Sequence, residues 1–234
     1  SAGKARKERR DDEREDLVRL GTTMREMLEA LKDSFWFFIS RISVSINGSL
    51  GSIFLGMRYS PESVEMGLYS GATKLSSAGE QMIPPLGDAL YPSMVNKKDY
   101  RLFYRIVLRG GILWFLACGL VEVLATPLCV LILGGQYASA GGFLRILMVG
   151  VFFGYFSFMF GYPALSPIGK ATWANAAIMV SAIVNLTACA VLWLTGNITP
   201  LTVCVVFSST NITTFIVRFG AFMKFRNLAE QDAK

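Results

Sequence analysis

Apolar residues come in six long runs along the chain, at 35–56, 67–94, 104–133, 141–164, 172–195 and 201–223, separated by short polar stretches. Each run holds the roughly 20 residues with which a helix crosses a hydrocarbon core of about 30 Å, so six transmembrane helices are predicted. The third run is too long for one straight crossing. Pro127 and the Gly134-Gly135 pair predict a kink there, then a short continuation near the surface. Ahead of the first run, Leu17, Leu20, Met24, Leu28 and Leu31 recur at spacings of three and four with charged residues between them. That is the pattern of an amphipathic helix lying on a membrane surface. The expected fold class is an all-α integral membrane protein. Residues 1–33 would form a charged linker, 34–223 a six-helix transmembrane lobe and 224–234 a tail.

Composition supports this pattern. Hydrophobic residues make up 53% of the chain and the mean hydropathy is +0.44. Only 17% of residues are charged, against roughly a quarter in soluble domains. Residues 1–33 hold nine Lys/Arg and nine Asp/Glu, leaving fourteen and eight for the other 201 residues. Outside the linker, Lys97, Lys98, Arg101, Arg105, Lys170, Lys224, Arg226 and Lys234 fall on one side of the membrane. The opposite loops hold only Arg58, with Arg145 just inside a span. The first side is therefore expected to be cytoplasmic, with both ends of the chain on it. The opening segment KARKERRDDERED lacks the apolar stretch of a signal peptide, and it reads as a loop from within a longer protein. The chain has no His, which removes the commonest general base and metal ligand. Cys118, Cys129, Cys189 and Cys204 lie singly in apolar runs, without the spacing of a metal site or a disulfide framework. No metal, no cofactor and no nucleic-acid partner are expected.

The second run is the least oily. Ser70, Lys74, Ser77, Gln81 and Asp88 share one helical face, with Glu80 about 80° to its side. The first run carries a similar stripe through Ser34, Arg41, Ser45, Gly48 and Ser52. A charge at mid-membrane costs about 2.5 to 3.5 kcal/mol, so such residues normally face a bundle interior or a water-filled cavity. Two readings stay open at this point. Serines and glycines suit close helix packing, with Lys74 paired internally to Glu80 or Asp88. Alternatively Arg41 and Lys74, staggered through a hydrated cavity, would suit a bulky anion moving between leaflets, with Ser70, Ser77 and Gln81 lining its path. Pro84 and Pro85 break the regular backbone bonding and predict a hinge. Glu122, deep in the third span, is a further candidate for charge pairing or ion coupling, with Glu80 and Asp88. Asn47, Asn175, Asn185 and Asn211 are expected to hydrogen-bond between helices.

GLYSGATKL, a later LYPSMV, a basic loop and then LCVLILGGQYASAGGFLRIL together resemble the C-terminal half of bacterial polysaccharide flippases. These are the O-antigen and exopolysaccharide transporters of the multidrug/oligosaccharidyl-lipid/polysaccharide exporter superfamily, which act in polysaccharide and lipopolysaccharide biosynthesis. The resemblance covers residues 35 to about 223. It implies a protein of twelve to fourteen helices in two lobes, of which this chain would hold one. It also implies movement of an undecaprenyl-diphosphate-linked oligosaccharide across the bacterial inner membrane by alternating access. By the same carry-over Arg41 and Lys74 would meet the diphosphate or an acidic sugar. The implied partners are the lipid-linked oligosaccharide, membrane lipids, the missing N-terminal lobe and polysaccharide polymerase machinery.

A cation-coupled drug or small-molecule antiporter of the same superfamily is the alternative, kept open by Glu80, Asp88 and Glu122. A membrane polymerase or ligase normally holds its acceptor in a large external loop, and no outer loop here exceeds about ten residues. With no His and no carboxylate pair in a loop, the chain is not expected to be an enzyme.

Overall fold

The structure is a computed structural model that describes residues 24, 27, 28, 31, 34, 35 and 38–231. Expectations for Leu17, Leu20, Lys234 and most of the charged linker lie outside the described residues. The chain divides into two compact units, Ser1–Arg41 and Ile42–Lys234. In the first, Met24, Met27, Leu28 and Leu31 are helical and exposed. The rest of the description concerns the second unit and the helix that opens it.

Eight helices are described: α1 (Phe38–Gly56), α2 (Val64–Glu80), α3 (Ile83–Lys97), α4 (Tyr100–Leu133), α5 (Ala140–Met159), α6 (Tyr162–Leu165), α7 (Ala171–Leu194) and α8 (Pro200–Gln231). No strand occurs among the described residues. Five segments are long and apolar enough to cross a membrane: Phe38–Gly56, Tyr100–Leu133, Ala140–Leu165, Ala171–Leu194 and Pro200–Asn227. The fold is thus the all-helical membrane lobe that the apolar runs predict.

The run at 67–94 is not among the five, because it is two helices that meet at Gln81–Met82. The cause is local. Proline has no N–H, so Pro84 and Pro85 cannot donate to the carbonyls of Glu80 and Gln81. Met82 turns back to the carbonyl of Gly79 instead, at 3.1 Å, and α3 restarts with proline in its first turn. Ser63 caps the start of α2 by accepting from the Met66 N–H at 3.3 Å. Asp99 does the same for α4 through the Leu102 N–H at 3.0 Å. Helix α4 continues through Pro127 to Leu133, where Gly134, at φ 106°, stops it. The short continuation is the 3-10 turn Gly135–Tyr137.

Helix α5 is the hub of the unit and packs against α2, α4 and α8. Half of its membrane-length window is buried, against 17% for α4, which puts α5 at the centre and α4 at the rim. Small residues set the approach. A Cβ added at Gly141 would lie 2.9 Å from the Thr126 Cα on α4, and one at Gly150 3.0 Å from the Ser208 Cα on α8. Ser208 Oγ also donates to the Ile146 carbonyl at 2.6 Å, tying α8 to α5.

The core has two apolar clusters. Tyr69, Leu144, Leu147, Val151 and Val203 belong to one. Ile83, Met94, Phe103, Tyr155, Met159 and Phe222 belong to the other. The loops agree with helices that cross back and forth: Arg58 donates to the Gly196 carbonyl at one end, and Tyr100 OH to the Ala164 carbonyl at the other, 3.1 Å. All four cysteines are free and buried. On α8, residues Thr210 to Arg218 fall between Val203 and Phe222, and polar side chains gather there.

Candidate functional site

At this middle level the unit has a partly open cavity of 320 Å³. Its polar lining comes from Asn47 on α1, Glu80 at the end of α2, Ser157 on α5, Ser181 on α7, and Asn211 and Arg218 on α8. Val44, Ile83, Phe158 and Ile178 supply the apolar part. Thr210, Thr214 and Arg218 follow one another at a spacing of four, so one face of α8 carries them all into the cavity wall.

Arg218 is only 7% exposed. Its Nη1 donates to the Ser157 carbonyl at 2.8 Å and to Ser157 Oγ at 3.3 Å, while Nε and Nη2 donate to the Ala174 carbonyl at 3.4 and 3.2 Å. Among the described residues it makes no ion pair. The forked guanidinium thereby joins α5, α7 and α8 through backbone oxygens that helix geometry leaves with spare acceptor capacity. Gly161 makes room for it, since a Cβ there would meet Nη1 at 3.0 Å.

Across the cavity, Asn47 and α7 form a second polar junction. Asn47 Nδ2 donates to Ser181 Oγ at 3.0 Å, and Asn185 Nδ2 donates to the Asn47 side-chain oxygen at 3.2 Å and to its carbonyl at 3.3 Å. Glu80 is held less firmly. Its Oε1 accepts from Asn211 Nδ2 at 3.5 Å, the outer limit for such a bond. Of the charged groups lining the cavity, Glu80 keeps spare bonding capacity. The lining can therefore exchange a proton or hold a cation, and it has no nucleophile–base pair for covalent chemistry.

Of the residues singled out in the sequence, only Glu80 and Pro84 line this cavity, besides Asn47, Gly48 and Asn211. Lys74, Gln81, Pro85 and Asp88 are exposed on the unit, and Ser70 and Ser77 are half-buried. Lys74 makes no hydrogen bond or ion pair among the described residues, so pairing to Glu80 or Asp88 is not what holds it. Ser45 and Ser52 on α1 are exposed as well. Arg41 is exposed and belongs to the first unit, whereas Lys74 belongs to the second. Glu122 is half-buried on α4, and its backbone oxygen accepts from Arg145 Nε at 3.2 Å. The asparagines do bond between segments, with Tyr162 OH donating to Asn175 Oδ1 as a further case.

Arg218, Ser157, Ser181, Thr210 and Thr214 were missed in the sequence. The signal was present: SSTNITTFIVR in the last run has the same one-faced polar spacing as the second run.

Residues 18–98 match the family model described as polysaccharide biosynthesis protein. The match spans α1, α2 and α3, about a third of the chain, and is a likeness to that family. No curated protein and no solved structure matches the chain.

Proposed function

We propose that the chain is one lobe of a transporter that moves a polyprenyl-diphosphate-linked oligosaccharide from the inner to the outer leaflet of the bacterial inner membrane by alternating access. The observation that carries this reading is Lys74. It sits ten residues into α2, about 15 Å from the helix start, within the family match and exposed without a partner among the described residues. An ammonium on a helix within an apolar lobe is stable only against water or an anion, and among the described residues no carboxylate pairs with it. A hydrated path shared with a second lobe meets that need, and a diphosphate headgroup supplies the charge. Ser70, Ser77 and Gln81 would share the path, and the α2–α3 break at Pro84-Pro85 would be its hinge. Both ends of the chain would be cytoplasmic, and the polymerase machinery that uses the product would meet it at the outer leaflet.

The test is rescue of surface polysaccharide in flippase-deficient cells by the gene carrying Lys74→Ala, at matched membrane levels. Loss of surface polymer, with lipid-linked repeat units accumulating inside, is expected. Full rescue by the variant would remove the stripe from the transport path.

One observation favours a second reading, coupling to a cation. Glu80 is a weakly bonded carboxylate in a cavity that also holds Arg218, so its charge state sets the charge balance of the lobe interior. A drug antiporter of the same superfamily would use such a group too. The two are separated by substrate: Glu80→Gln would abolish polymer export in one case and drug resistance in the other.

A further inference from the structure

Arg101, Arg105 and Arg109 stand at successive spacings of four on α4, and all three are exposed. None makes a hydrogen bond or ion pair among the described residues. The buried residues of the same stretch are Tyr100, Phe103, Val107 and Gly111. At 100° per residue the arginines lie about 150° around the helix from that face. They form a ladder of like charges one turn apart, an arrangement that repels itself and is stable only beside an anion or in water.

Depth distinguishes these two environments. The 34 residues of α4 extend about 51 Å, well beyond a hydrocarbon core of about 30 Å. From Ile112 to Leu133 the only charged residue is Glu122, and this part alone measures about 33 Å. It fills the core, and its exposed Ile112, Leu113, Phe115, Leu116 and Leu120 (54 to 69% exposed) suit acyl chains. The excess length, Tyr100–Gly111, therefore stands in the headgroup layer for about 18 Å. There the ladder lies level with lipid phosphates, with Tyr104 and Leu108 exposed between its rungs.

We propose that this face of α4 is a binding surface for anionic phospholipid headgroups. Arginine forks grip the phosphates while the apolar stretch beyond Gly111 takes the chains. Each arginine is worth on the order of a fivefold preference for anionic over zwitterionic lipid.

The experiment is native mass spectrometry of the full chain in micelles containing equal phosphatidylglycerol and phosphatidylcholine. Wild type is expected to retain phosphatidylglycerol at least about tenfold better. The triple variant Arg101→Gln/Arg105→Gln/Arg109→Gln should bring the two lipids within about twofold of each other. A control, Lys170→Gln/Lys224→Gln, removes the two ammonium groups that lie 5.1 and 5.6 Å from the Phe225 ring on the same side of the unit, and it should keep the preference. No preference in wild type, a preference that survives the glutamine triple, or equal loss in the control would each overturn the proposal. Should the glutamine triple fail to fold, the Arg→Lys triple serves instead. Its preference should persist at low salt and collapse on a roughly tenfold rise in ionic strength, and insensitivity to salt would overturn the proposal too.

Discussion

Arg218 lies within the membrane-length α8 and Lys74 within the shorter α2, and the lobe treats the two cations in opposite ways. Around Arg218 it supplies partners: two backbone carbonyls and a hydroxyl accept its protons, and Gly161 is left without a side chain to admit it. Lys74 makes no hydrogen bond or ion pair among the described residues, and the ammonium is exposed. A buried charge whose bonds all end inside its own unit is part of what holds that unit together. A charge left open points to something outside. The comparison separates residues that hold the fold from residues that would serve the proposed transport path.

The largest expected effect comes from breaking the closed side. Arg218→Ala would leave the Ser157 and Ala174 carbonyls without their guanidinium donor and open a hole between α5, α7 and α8. A loss of about 3 kcal/mol in stability is expected, read as a lowered thermal midpoint in detergent. Arg218→Lys should fall between the two, because one ammonium cannot reach both carbonyls as the fork does. A midpoint unchanged in the alanine variant would mean that the guanidinium is held for function and not for the fold.

Next in size is Gly141→Ala. The added methyl would meet the Thr126 Cα at 2.9 Å and its backbone nitrogen at 3.0 Å. Backbone cannot swing aside as a side chain can, so α4 and α5 must separate, at a cost of about 2 kcal/mol. The same substitution at Gly119 meets nothing within 4 Å and should be neutral or slightly stabilising, since alanine is the better helix former. Equal midpoints for the two variants would contradict the close α4–α5 approach.

A smaller loss is expected for Asn47→Ala. It removes an acceptor from Asn185 and a donor to Ser181, but the cavity beside it can admit water to satisfy the orphaned groups. About 1 kcal/mol is expected in the same assay. A loss as large as that of Arg218→Ala would show the cavity to be dry.

Much of this was legible in the sequence, for a physical reason. Crossing a bilayer demands length and apolarity, so the runs at 104–133, 141–164, 172–195 and 201–223 could be read from composition alone, and helices α4, α5, α7 and α8 occupy them. The division of the second run at Gln81–Met82 lies just before the prolines that cause it. The cavity was harder. Helical periodicity says which residues share a face, but not whether that face turns to a neighbour or away from the lobe. Glu80, to the side of the Lys74 stripe, turns inward to Asn211, while the stripe stays outside. Arg218 lies in a run apolar enough to hide it, and its role shows only in the packing of α5 and α7 around it.

The smallest stability effect is expected at Lys74, and it is the sharpest test of the comparison. Lys74→Ala removes no bond made within the lobe, so its thermal midpoint should correspond to a change within about 0.5 kcal/mol of wild type. If Lys74 meets the anionic headgroup, the same variant should lose saturable binding of a diphosphate-linked lipid, and Lys74→Arg should recover much of it, since either cation satisfies a phosphate. A stability loss near that of Arg218→Ala would place Lys74 among the residues that hold the lobe together, and the distinction between closed and open charges would fail. A silent midpoint with unchanged binding would keep the distinction but move the substrate path to another face of the lobe.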